Sequence, residues 1–238
     1  CLHRRNSLPQ RLDRQRPGFK ALRAVKKEFL RSVFKGRNRR KISGRALLMR
    51  FIKQFIYLIR FFVSDITYLV SDKKFRQYVD SDVNRALKWS NMNNRGGVYR
   101  LNTCLKSKSF RSVFVYRIKQ FKRCKFILII NKILLPRLKT IEINGDIGKG
   151  LLVSHNFSVI YPERTGDNFR VGPGVVIGRN GKGFPIIGNN VYIGSNSTVI
   201  GNIQIGNNVI VGAGSVVVKN IPDNSVVVGN PARIIRNI

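Results

Sequence analysis

From residue 147 onward the chain places an aliphatic residue at nearly every sixth position. The positions are Ile147, Val153, Val159, Thr165, Val171 and Ile177, then Ile187, Ile193, Val199, Ile205, Val211 and Val217. Only Thr165 departs from the aliphatic rule, and eight of these twelve residues are followed directly by Gly. A helix would scatter a six-residue period around its axis. An ordinary half-buried strand alternates, but that requires no particular residue at every sixth place. Short strands joined at corners do require it: three hexapeptides close one coil, and successive coils stack as a parallel β-helix. The aliphatic residues then point inward. Gly or Asn at the corners accepts backbone angles that a β-branched residue resists. Twelve hexapeptides predict about four coils.

The rhythm breaks once. Ile187 follows Ile177 after ten residues instead of six, so four extra residues fall within RNGKGFP, residues 179–185, and predict a loop at a corner. Loops that leave a regular scaffold often carry binding groups. Ahead of the repeat, TIEIN at 140–144 alternates and predicts an entry strand. Earlier segments have helical spacing. Residues 47–70 place Phe51, Phe55, Leu58 and Phe62 on one face, with Arg50, Lys53, Arg60 and Asp65 interrupting the apolar run. That run is too short to span a bilayer. It reads as a basic amphipathic helix that either buries its face or rests on an anionic membrane surface. Residues 80–96 predict a short helix closed at Gly96-Gly97, and residues 111–135 predict a long one ended by Pro136. The chain therefore divides into a basic leader (1–48), a helical module (49–139) and a mainly β domain with a closing segment (140–238). The helices are expected to cover the first coil, whose open end would expose unpaired backbone groups.

Charge sharpens this division. The chain has 45 Lys and Arg against 11 Asp and Glu, a net +34. Residues 146–238 hold eight basic and four acidic side chains, so subtracting +4 from +34 leaves +30 on residues 1–145. The leader contains sixteen Lys or Arg, with Asp13 and Glu28 as its acids, and has no apolar signal-peptide core. It reads as a disordered basic extension, or as sequence ahead of a start at Met49. Nucleic acid is not expected as a partner, because no folded recognition motif accompanies the charge. Cys1, Cys104 and Cys124 make neither a disulfide framework nor a zinc spacing. A reducing, cytoplasmic setting follows, with peripheral contact at the inner face of the membrane as an addition.

The two histidines are His3, in the leader, and His155, in the second hexapeptide. His155 stands two places after an inward residue, at a strand end or corner. It is the ordinary neutral-pH acid/base group of the folded region. It precedes the 179–185 loop by about one coil, which is expected to bring both into one cleft.

Four pieces carry a resemblance: IGKG with His155 seven residues after Gly148, TGDN at 165–168, GAGSVVVK at 212–219, and VVGNPARII at 227–235. Together they make residues 146–235 resemble the catalytic domain of bacterial serine acetyltransferases. More closely, the segment resembles the serine acetyltransferase-like enzymes of surface-polysaccharide synthesis. The resemblance implies a left-handed β-helix behind a helical module, in a homotrimer. It implies transfer of an acetyl group from acetyl-CoA, without a metal, to a hydroxyl of serine or a saccharide, at a cleft between subunits. His155 stands at the position of the general base. Glu142 lies near the place of the carboxylate that orients it. Ser195 and Ala213 hold the small-residue corners beside the pantetheine arm. Lys219, with Arg233 or Arg236, would meet the phosphates, and Arg179 and Phe184 belong to the substrate loop.

The departures are specific. Ser154 replaces an Asp before the base, and Gly183-Phe184 replace an Arg-His pair before Pro185. The charges that would grip an amino acid are thereby lost, which makes a saccharide hydroxyl an alternative acceptor. A catalytically inactive trimeric scaffold is the non-enzymatic alternative. A zinc lyase of the β-helical carbonic anhydrase kind would need three histidine ligands, and the repeat domain has one.

Overall fold

The computed structural model describes residues 49, 52, 61–91, 98–121 and 125–238. The leader (1–48), Phe51, Phe55 and Leu58 of the amphipathic segment, and Gly96-Gly97 lie outside the described residues. Residues Arg60–Ile238 form one compact unit. Residues 61–69 are helical. Four further helices follow: α1 (Lys73–Trp89), α2 (Val98–Leu105), α3 (Lys108–Gln120) and α4 (Lys125–Leu134). The first starts earlier than the expected residue 80. Asp72 caps it, accepting a hydrogen bond from the Phe75 N–H at 2.7 Å. The single long helix expected over residues 111–135 is instead α3 and α4, and α2 is an addition. Phe75, Val79, Val83 and Leu87 recur every fourth residue along α1 and pack with Leu101, Leu105, Phe114, Ile118 and Leu135 into a helical core.

Within the 61–69 helix, Asp65 is buried and accepts a hydrogen bond from Asn102 Nδ2 at 3.1 Å. Burial pushes its pKa up to about 7. A carboxyl raised in the folded state contributes stability that is present below the unfolded pKa of about 4 and lost as pH rises through about 7. Asp65→Asn is therefore expected to stabilise the protein at pH 8 by on the order of 2–4 kcal/mol. At pH 4 it should change little. Thermal unfolding at the two pH values checks this.

The β domain winds through three faces. The first face stacks β1 (Ile141–Ile143), β4 (Ser158–Ile160), β7 (Val176–Gly178), β10 (Thr198–Ile200) and β13 (Val216–Val217), all parallel. The second stacks β2 (Asp146–Ile147), β5 (Arg164–Thr165), β8 (Ile186–Ile187) and β11 (Gln204–Ile205), extended by a bridge to Ile221. The third stacks β3 (Leu152–Val153), β6 (Arg170–Val171), β9 (Tyr192–Ile193), β12 (Ile210–Val211) and β14 (Ser225–Val228), closed by antiparallel β15 (Arg233–Asn237). The entry strand and the closing strand extend the twelve hexapeptides to about five coils. At the corner between the second and third faces, Asn168, Asn190, Asn208 and Asn224 all have φ between 55 and 59°. Their side chains bond to one another up the stack at 2.8–3.0 Å, so each asparagine provides both the left-handed turn and a rung.

Eleven of the twelve repeat positions face inward as expected; Val159 does not. Ile160 is the core residue there, pairing with Ile177, while Val159 faces outward opposite Val176. The corner before β4 holds one extra residue, so seven residues separate the inward Val153 and Ile160, and a one-residue slip reverses the faces.

The helices cover the first coil as expected, through α3. Val113 and Tyr116 enter the β-helix core. Arg117, 0% exposed, donates all five of its N–H groups. Nε and Nη2 reach the two oxygens of Asp82 at 2.7 and 3.0 Å. Nη1 reaches Gln120 and the Ile147 carbonyl, and Nη2 the Gly148 carbonyl, each at 2.6 Å. Asp82 also accepts the Leu151 N–H at 2.7 Å. Burial works against the Arg117 charge, and Asp82 more than offsets it, so the guanidinium pKa is raised. One ion pair thus ties α1 and α3 to residues 147–151, the stretch that leads to His155.

Candidate functional site

Strand register decides which of the candidate residues meet. Val153 pairs with Val171, Val171 with Ile193, and Ile193 with Val211. Two residues beyond each, His155, Pro173, Ser195 and Ala213 occupy successive levels of one edge, between the third and first faces. Backbone bonds lock the levels: Gly174 N–H to Asn156 O at 3.3 Å, Asn196 N–H to Pro173 O at 2.8 Å, and Gly214 N–H to Ser195 O at 2.8 Å. Adjacent strands lie about 4.8 Å apart, so His155 and Ala213 are separated by ~14 Å along this edge. The stacking is close. A Cβ on Gly174 would fall 2.1 Å from Asn196 Oδ1, and its φ of 68° is itself left-handed.

His155 is exposed, and among the described residues no hydrogen bond or ion pair holds its imidazole. Ser154 donates its hydroxyl to the Val171 carbonyl at 3.0 Å. Phe157, 68% exposed, takes φ 61°. A bulky side chain at left-handed φ is strained, and such strain clusters at functional sites. The seven-residue step from Val153 to Ile160 is the sequence signal for this corner.

The other candidates lie on the next edge, between the first and second faces. Arg179 and Lys219 stand two residues beyond Ile177 and Val217, which both pair with Val199. The loop at 179–185 leaves this edge, with Arg179 exposed, Phe184 half-buried and Pro185 buried. The cleft expected between His155 and the loop is therefore not formed within one chain. Arg179 lies 24 residues beyond His155 (179 − 155), which is one coil plus one further face. Glu142 lies on the outer face of β1 and accepts a hydrogen bond from the Tyr161 hydroxyl at 2.7 Å. That bond raises the Tyr161 pKa. No ion pair joins Glu142 to His155. Tyr161 went unnoticed in the sequence because its partner lies one coil away.

Between the two edges, the outer side of the first face presents Glu142, Val159, Val176, Thr198 and Val216. Val176 is 41% exposed. Parallel sheets are normally covered on both sides, so this valine strip is an unusual surface for an isolated chain.

A cavity of about 280 Å³ separates the helices from β3, lined by Leu87, Trp89, Cys104, Phe110, Val153 and Ser154 among others. It reaches the residue before His155. Burial pushes the Cys104 thiol up to about 12, so it is no nucleophile near neutral pH. Beside the cavity the Arg170 guanidinium is stacked between Trp89, at 3.5 Å, and Tyr192, at 4.2 Å, which fixes the end of α1 on the third face. Among the described residues no group of three or more His, Cys, Asp or Glu is placed to hold a metal.

Comparison with known proteins fits this geometry. The family described as bacterial transferase hexapeptide (six repeats) matches residues 184–219. Serine acetyltransferase 1, chloroplastic, of Arabidopsis thaliana is 42% identical over 123 residues, which are 49% of this chain and 39% of that one. The serine acetyltransferase of Synechococcus elongatus is 35% identical over 137 residues, 53% of this chain and 56% of its own. The Escherichia coli K12 protein named "Putative colanic acid biosynthesis acetyltransferase WcaB" is 41% identical over 99 residues, 40% of this chain and 61% of its own. The chain thus spans less than two thirds of these relatives, and they do not favour the polysaccharide branch over the serine branch. Among solved structures, Neisseria gonorrhoeae serine acetyltransferase superposes with a TM-score of 0.61 at 21% identity, covering 90% of each chain. Brucella abortus serine acetyltransferase in complex with coenzyme A gives 0.57 at 21% identity, covering 90% of this chain and 94% of that one. These structural likenesses establish a shared fold.

Proposed function

We propose that this chain, a hexapeptide-repeat protein related in sequence to the serine acetyltransferases, transfers an acetyl group from acetyl-CoA to the hydroxyl of a small acceptor. The observation that carries this reading is the edge on which His155, Ser195 and Ala213 stack. His155 accepts the acceptor's hydroxyl proton as its oxygen attacks the thioester carbonyl. The tetrahedral intermediate collapses, the C–S bond breaks, and the imidazolium returns the proton to the leaving thiolate. Ser195 and Ala213 leave room along the edge for the pantetheine arm. Glu142, held at one oxygen by Tyr161, keeps the other for an imidazole N–H.

The remaining roles need the second edge. Lys219 meets the phosphates as a charge, and the loop with Arg179 and Phe184 closes over the acceptor. In one chain these stand a full face away from His155. In a homotrimer the loop edge of one copy lies against the His155 edge of the next, and the valine strip of the first face is covered. A saccharide acceptor is the second reading, favoured by Ser154, Gly183 and Phe184 where charges would grip an amino acid.

The test follows thiol release from acetyl-CoA with serine and, separately, with nucleotide sugars as acceptors. Release with serine supports the amino-acid branch, and release with a sugar alone supports the saccharide branch. No release with either, together with no binding of CoA, would leave an inactive scaffold and sink the enzymatic reading.

A further inference from the structure

Helix α4 packs Ile127 and Leu128 against the helical core and leaves a second apolar face uncovered. Its one fully buried residue is Asn131. Asn131 accepts a hydrogen bond from Ser64 Oγ at 3.1 Å and donates to Thr67 Oγ1 at 3.0 Å, so a polar contact joins α4 to the 61–69 helix. The opposite side of α4 is apolar and uncovered: Phe126 is 68% exposed, Ile129 53% and Ile133 72%. Positions 126, 129 and 133 follow helical spacing and form one continuous stripe.

The charge around the stripe says what covers it. Residues 125–139, which are α4 and the stretch just beyond it, contain four Lys or Arg and no Asp or Glu. Lys125 and Lys132 are exposed on α4 itself, and Arg137 and Lys139 are exposed just beyond it. A second copy presenting the same face would bring like charges together, whereas a sheet of anionic headgroups over a hydrocarbon layer matches both features. No described helix is long and apolar enough to cross a membrane. A ten-residue helix with an apolar stripe and flanking lysines instead lies in the interface, stripe inward and lysines at headgroup level.

We infer that α4 is a membrane-docking helix, which seats Phe126, Ile129 and Ile133 in an anionic lipid surface. The membrane contact expected of the amphipathic segment at residues 47–70 thereby acquires a second element, independent of the acetyl-transfer reading.

The test is co-sedimentation of the full chain with vesicles of phosphatidylcholine containing phosphatidylglycerol, and with phosphatidylcholine alone. The wild-type chain should bind the anionic vesicles. The triple variant F126S/I129S/I133S should lose about tenfold or more in apparent affinity, because stripe burial adds to the electrostatic attraction. K125E/K132E should weaken binding to the anionic vesicles and leave the plain ones unaffected. All three stripe positions are exposed, so the unfolding midpoint should hold, and I133S alone provides a graded check. Wild-type-like binding by the triple variant would overturn the proposal by assigning attachment to charge alone, and failure of the wild-type chain to bind would also overturn it. A triple variant that instead lowers the lipid-free assembly mass in light scattering would assign the stripe to a second copy.

Discussion

Replacing His155 with Ala is expected to lower kcat for CoA release by about a hundredfold to ten-thousandfold and leave the unfolding midpoint unchanged. Both halves follow from the corner on which it sits. The imidazole is exposed and has no protein partner among the described residues, so removing it opens no cavity and orphans no buried group. In the proposed mechanism its value is chemical. The β domain carries no other histidine, the side-chain type that most often serves as a general base. Steady-state kinetics and thermal unfolding of the same preparation separate the two effects. Full activity in the variant would assign the base elsewhere while leaving the fold intact.

The second large effect is on stability. Arg117→Met is expected to destabilise the protein by about 3–5 kcal/mol, because breaking a buried pair leaves its partner charge uncompensated. Asp82 is 1% exposed and would keep only backbone donors such as the Leu151 N–H. The Ile147 and Gly148 carbonyls would also lose their side-chain donor. In a chain of this size that cost lowers the midpoint by roughly 6–20 °C. The double variant Arg117→Met/Asp82→Leu should recover part of the loss, since well-packed apolar groups often replace a buried ion pair at little cost. A loss below about 1 kcal/mol in the single variant would contradict the role given to this pair.

The repeat was legible because each inward residue is imposed locally, by a strand two or three residues long. Val159 was misread for the same reason. A regular six-residue count cannot register an extra residue at the His155 corner, and only the pairing of Ile160 with Ile177 reveals it. The loop at 179–185 was legible as a break in rhythm, but its edge was not. One coil and one coil plus a face look alike until the strands are assigned to faces. Arg117 was invisible as a structural residue, because an arginine on a basic helix ordinarily solvates. Its burial depends on Asp82, 35 residues earlier, and on carbonyls 30 and 31 residues later. The start of α1 could have been read from Asp72, a capping residue three before Phe75.

The reading rests on two edges contributed by two copies, and mixing variants tests that directly. One preparation carries His155→Ala, and the other carries Arg179→Ala with Lys219→Ala. The two are unfolded, mixed in equal amounts and refolded, and acetyl transfer is measured at acetyl-CoA well below the wild-type KM. Random assortment gives every mixed trimer one interface with both edges intact, about a quarter of all sites. The expected result is recovery of about a quarter of wild-type activity from two impaired parents. Activity no greater than the average of the two parents, in trimers shown to be mixed, would place the whole site in one chain and contradict the account.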